Sequence, residues 1–146
     1  MPFDFSSPGR LDASHLRLAP LWIAIGVGMV AAVVAASLVS VPATSVFALH
    51  DKAVHLCVYA GLTGWFAQVF RHDLTRLALL AGFVALGAGV EYLQGLTPSR
   101  RFEGADMVAN ASGALLAWAL SYTRVGRVLP AVERLLGATA PAAPRG

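Results

Sequence analysis

The chain has 146 residues, of which 57% are hydrophobic and 13% charged, and a mean hydropathy of +0.66. An ordinary soluble domain carries roughly 25% charged residues, so this is the composition of a one-domain membrane protein. The single cysteine, Cys57, excludes an internal disulfide and a cysteine-based zinc site, and the net charge of +3 is too scattered over loops and ends to form a nucleic-acid face.

Residues 1–17 read as a mixed, Pro- and Ser-containing cytoplasmic segment. Leu18 to Val41 follows with no charge over 24 residues, enough at about 1.5 Å per residue to cross a hydrocarbon core of about 30 Å. Signal-peptide cores are about 7–15 residues long, so a retained anchor is expected. Pro42 to His50 is a mildly apolar outer loop. Three further spans are expected at Ala53 to Phe70, Leu77 to Leu96 and Ala105 to Tyr122, each with polar residues inside it. Residues 124–146 form a cytoplasmic tail in which Val128 to Leu136 is amphipathic and the ending ATAPAAPRG reads as disordered.

The expected fold class is therefore all-α: an integral membrane bundle of four transmembrane helices over residues 18–123, with both termini cytoplasmic. A β-barrel is excluded because no stretch alternates polar and apolar residues for about ten positions. Ala81, Ala85 and Gly89, and again Ala109, Gly113 and Ala117, recur every four residues and offer small faces for helix–helix contact. Arg10, Arg17, Arg71, Arg76, Arg124 and Arg127 fall on one side of the four crossings, and Lys52, Arg100 and Arg101 on the other. The positive-inside bias makes the first side cytoplasmic. Trp22, Trp65 and Trp118 lie within about five residues of the cytoplasmic span ends, as an aromatic belt requires.

With this topology the polar residues inside the spans converge. Asp51, Lys52 and His55 open the second span, Glu91 and Gln94 close the third, and Asp106 and Asn110 open the fourth, all in the outer half. Residues three or four apart share a helix face, which gives the stripes Asp51–His55–Tyr59, Glu91–Gln94 and Asp106–Asn110–Gly113. An ionisable group facing lipid at mid-bilayer costs roughly 2.5–3.5 kcal/mol on insertion scales, so these groups face the bundle interior or a wet cavity. Glu91 is the deepest and has no capping role in its own helix, whereas Asp51 and Asp106 have one open to them as helix-start residues.

The stretch DKAVHLCVY at Asp51 to Tyr59, EYLQ at Glu91 to Gln94, PSR at Pro98 to Arg100 and DMVANASG at Asp106 to Gly113 together resemble the VanZ-like family, in order and approximate spacing, over residues 51–120. The family pattern D-K-x-x-H, E-x-x-Q, P-G-R and D-x-x-x-N-x-x-G is met at Asp51, Lys52, His55, Glu91, Gln94, Pro98, Arg100, Asp106, Asn110 and Gly113. Ser99 stands in place of the usual glycine, and whether Arg100 or Arg101 takes the arginine role is open. The resemblance implies a bacterial inner membrane location and a link, by the family's name, to resistance to teicoplanin, a glycopeptide antibiotic acting on lipid-linked wall precursors. It also suggests grouping with membrane proteins that exchange or cleave lipid head groups.

The first expectation is an enzyme acting on a phospholipid or lipid-linked envelope head group at the outer leaflet. Arg100, with Lys52, would hold the phosphate. His55 and Glu91 would exchange protons while Asp106 orients His55, and Asp51, Gln94 and Asn110 would bind substrate. A divalent cation held by Asp51, His55, Glu91 and Asp106 is the open cofactor alternative. The second expectation is a non-enzymatic protein that binds lipid, glycopeptide or a partner with the same groups. A carrier is disfavoured because nothing polar is seen to continue the path inward, and four helices are few for transport unless chains form an oligomer.

Overall fold

Ala- and Leu-rich runs favour helix, and here they are punctuated by Gly, Pro, Asp and Arg. The computed structural model describes residues 13–38, 48–97 and 102–138, which are helical with no strand among them. The elements are α1 (Ala19–Leu38), α2 (Ala48–Val69), α3 (Asp73–Gly95), α4 (Gly104–Leu120) and, after a 3-10 turn at Arg124–Arg127, α5 (Val128–Leu135). Each of the first four coincides with one expected span. α2 starts five residues before Ala53, with Asp51 in its first turn, where a carboxylate meets the positive end of the helix dipole.

Two of the four, α1 and α3, are long and apolar enough to cross a membrane by length and composition. α4, with 17 residues, is about 26 Å long, short of a hydrocarbon core of roughly 30 Å. α2 has the length, but Asp51, Lys52 and His55 lower the hydropathy of its first turns. Residues 1–12, 39–47, 98–101 (with Pro98, Ser99, Arg100 and Arg101) and 139–146 lie outside the described residues.

The helices run up and down, and α2 and α4 are the principal pair. A Cβ added at Gly113 would stand 2.1 Å from the Leu56 carbonyl oxygen, so only glycine allows this approach of α4 to the backbone of α2. α1 lies against α2 and α3; a Cβ at its Gly26 would come within 2.7 Å of the Phe66 ring. Phe66 also meets Phe83 of α3, ring centroids 5.7 Å apart, in the middle of the buried apolar cluster. The small face of α4 is turned to α2 as expected. That of α3 is not: Ala81, Ala85 and Gly89 are exposed. Phe83, Gly87, Val90, Glu91 and Gln94 face inward instead, because the polar side chains among them need partners.

One end of the bundle is tied by side chains from the chain's extremities. Glu133 of α5 accepts from the backbone N–H groups of Arg17 (2.8 Å) and Leu18 (2.9 Å) and from the Trp22 indole (2.7 Å). It thus caps the start of α1, whose first N–H groups have no intrahelical partner. Burial alone would push the Glu133 carboxyl up; the bonds from Leu18, Trp22 and Arg17 outweigh it and hold the group below its ordinary value. The Trp65 indole donates to the Trp22 carbonyl at 2.8 Å, so two of the three tryptophans are satisfied inside the protein. Arg76, buried in the first turn of α3, donates to the Ala67 and Phe70 carbonyls at the end of α2 and lies over the Tyr122 ring.

Candidate functional site

At the opposite end, the first turns of α2 and α4 lie side by side. Asp51 and His55 are one turn apart on α2, and Asp106 and Asn110 one turn apart on α4, so the close α2–α4 approach sets the two pairs face to face. His55 Nδ1 is 3.0 Å from Asn110 Oδ1. A carboxamide oxygen only accepts, so Nδ1 is the donor and Nε2 is the ring nitrogen left to face the carboxylates. That Nε2 stands 3.8 Å from Asp51 Oδ1 and 4.0 Å from Asp106 Oδ2. A proton taken up there lies between two carboxylates from two helices.

Lys52 is already engaged. Its Nζ reaches Glu103 at 2.9 Å and Asp106 at 3.1 Å, fastening α2 to the start of α4. Glu91 is 2% exposed, and its Oε1 accepts from the Glu103 N–H at 2.7 Å. Glu103 is the N-cap residue of α4, so Glu91, which caps nothing in its own helix, anchors the beginning of another. Its Oε2 and the hydroxyls of Tyr59 and Thr63 are buried with no hydrogen-bond partner among the described residues. Gly87 of α3 makes room for this group, since a Cβ there would stand 3.0 Å from Asn110 Cβ and 3.2 Å from the Tyr59 ring.

The expected set is therefore brought together in part. Asp51, Lys52, His55, Asp106 and Asn110 form one connected group, and Glu91 joins it through Glu103. Gln94 is turned elsewhere: its Nε2 donates to the Ser37 carbonyl at the end of α1, 2.7 Å away. Arg100 and Arg101 fall outside the described residues. Ligand atoms of Asp51, His55 and Asp106 all lie within 4.8 Å of one another, a set able to hold a divalent cation through two carboxylates and an imidazole. Glu91 is not in that set, and the Lys52 ammonium competes for Asp106.

Two residues escaped the sequence reading. Glu103 lies three positions before Asp106 and carries no motif; only the fold shows that it links Lys52 and Glu91. Thr63 continues the four-residue spacing of Asp51, His55 and Tyr59 by one more turn, which that spacing could have revealed, and so extends the polar path inward. Buried Phe66 and Ala67 end it there. Comparison with protein-family models, curated proteins and solved structures yields no match to this chain.

Proposed function

We propose that this chain is a VanZ-like, four-span protein of a bacterial inner membrane, with both termini cytoplasmic, that acts on the phosphate-bearing head group of a phospholipid or lipid-linked envelope intermediate at the outer leaflet. The arginine bias supports the orientation. Outward apolar side chains on every long helix, such as Val27, Val54, Val84 and Val108, the last 66% exposed, support lipid as the surrounding medium. The short α4 is accommodated by local thinning of the bilayer.

The observation that carries the reading is the His55 imidazole, held by Asn110 through Nδ1 and facing Asp51 and Asp106 through Nε2. In a hydrolysis, Nε2 takes a proton from water as the water oxygen bonds to phosphorus. The phosphorus–oxygen bond to the leaving group then breaks, and the leaving oxygen takes a proton from Glu91. Asp106 and Asp51 stabilise the imidazolium, and Arg100 holds the phosphate through its guanidinium fork. Gln94 serves by fixing α1 rather than by touching substrate. A second reading, binding of the same head group or of a glycopeptide without turnover, is favoured by the cation-competent spacing of Asp51, His55 and Asp106, since a bridging cation holds an anion without chemistry.

Untargeted mass spectrometry of lipids from bacteria expressing the wild-type chain, His55→Ala or neither tests this. A head-group species should change with the wild type alone. Identical profiles in all three leave binding as the function.

A further inference from the structure

A groove runs along the bundle inward of the His55 cluster, between the second half of α2 and the end of α4. Ala60 and Gly64 form one wall, Leu116, Ala117 and Leu120 the other, and Val125 of the 3-10 turn closes its end. Its volume is about 170 Å³, below the roughly 300–1,000 Å³ of pockets for compact ligands, and its lining is mostly apolar, with Gln68 and Ser121 its polar members. It has the size and chemistry for a stretch of hydrocarbon chain. Small residues create it: a Cβ at Gly64 would only reach ordinary contact, 3.6 Å from Ala117 Cβ.

Arginines flank this end of the groove in sequence. Val125 lies between Arg124 and Gly126 in sequence, and Arg124, Arg127 and Arg71 are all exposed. None of the three forms an ion pair with a carboxylate among the described residues. Partial desolvation and the neighbouring charges of Arg76 and Arg127 hold the Arg71 guanidinium below its ordinary range, so these cations lie close enough to repel one another. At the opposite end, Lys52 has two carboxylates of its own. An apolar slot beside guanidiniums that have no carboxylate partner among the described residues is complementary to a molecule with a hydrocarbon tail and a phosphate head.

We infer that this groove is a second lipid site: it seats one acyl chain of an anionic phospholipid of the inner leaflet, with the lipid phosphate on Arg124 and Arg127. The inference rests on the membrane orientation proposed above but not on the chemistry of the His55 cluster. The lipid fills the space between α2 and α4 where their small residues leave it, and it neutralises the cytoplasmic arginines.

The test is native mass spectrometry of the full chain in detergent, titrated with phosphatidylglycerol or phosphatidylcholine of identical acyl chains. The wild type should retain one phosphatidylglycerol at least several-fold in preference to phosphatidylcholine. Arg124→Gln/Arg127→Gln should lose that preference. Gly64→Leu, which fills the groove, should retain neither lipid while keeping the wild-type circular dichroism. Millimolar inorganic phosphate should not displace the lipid, because it has no chain to bury. Equal retention of the two lipids by the wild type, or an unchanged preference in the arginine variant, overturns the proposal. So does a chain dimer that Gly64→Leu abolishes, since the groove then takes a second copy. His55→Ala and Glu91→Gln should bind phosphatidylglycerol like the wild type, so failure of the head-group chemistry and failure of this site are told apart.

Discussion

Asn110 of α4 accepts a hydrogen bond from the His55 imidazole of α2 over 3.0 Å, and Asn110 is 2% exposed. This bond orients the His55 ring and joins the two helices that pack most closely. His55→Ala strands the buried carboxamide and should cost roughly 1–3 kcal/mol. The double variant His55→Ala/Asn110→Ala should lose less than the sum of the singles, with a coupling of roughly 0.5–3 kcal/mol in equilibrium unfolding of the purified chain. Strict additivity would mean that the bond contributes nothing.

Gly113 and Gly89 separate a close helix approach from an open surface. Gly113→Ala places a Cβ against the Leu56 carbonyl, a backbone atom that cannot swing aside. The cost should be about 1–3 kcal/mol or more, seen as a lowered melting temperature. Gly89 has nothing within 4 Å of its Cβ position, so Gly89→Ala should be neutral or stabilising by about 0.4–1 kcal/mol. Equal melting temperatures for the two variants would contradict the packing.

Glu133 gives the fold an acid sensitivity of stated sign. Its folded-state pKa lies below the ordinary 4.5, so its contribution is fully present above pH 4.5. That contribution is lost as the pH falls from 4.5 through the lowered value. Unfolding followed by tryptophan fluorescence should show this acid loss in the wild type and a smaller one in Glu133→Gln, which does not titrate. Parallel pH curves for the two proteins would rule the cap out.

Arg76 closes the end of α2 with charged hydrogen bonds to Ala67 and Phe70. Arg76→Met should lose roughly 1.5–3 kcal/mol per such bond at most, read from thermal unfolding. Arg76→Lys should recover only part, because an ammonium lacks the planar fork. Full rescue by lysine would reduce the role of Arg76 to charge alone.

Orientation is tested by reporter fusions after residues 47, 73 and 102, expected outside, inside and outside. A cytoplasmic signal at 47 and 102 moves the His55 cluster to the inner leaflet and the arginine-flanked groove to the outer one.

The four helices were legible because long apolar runs with few charges, bounded by Arg, Asp, Gly and Pro, leave few other readings. Four-residue spacing also put Asp51 with His55 and Asp106 with Asn110. Spacing cannot say which partner a side chain finds, and there the structure departs. Gln94 shares a face with Glu91 at three residues' distance, yet its amide N–H donates to the carbonyl of Ser37, while the Glu91 carboxylate, which accepts, finds the N–H of Glu103. The α3 stripe of Ala81, Ala85 and Gly89 was equally regular and lies outside the interface. A small face permits close packing without demanding it, whereas buried Glu91 and Gln94 require partners. Glu133, at the far end of the sequence from Arg17, carries no local signal at all. Its role follows from α5 folding back over the start of α1.

The central claim is that the His55 cluster performs chemistry on a lipid phosphate. Its most direct test uses the full chain reconstituted in vesicles of phosphatidylethanolamine and phosphatidylglycerol, supplemented with the lipid class found to change in cells, with head-group release followed by mass spectrometry. The account predicts release by the wild type and background rates for folded His55→Ala and Glu91→Gln. Release at the wild-type rate by both variants would contradict it.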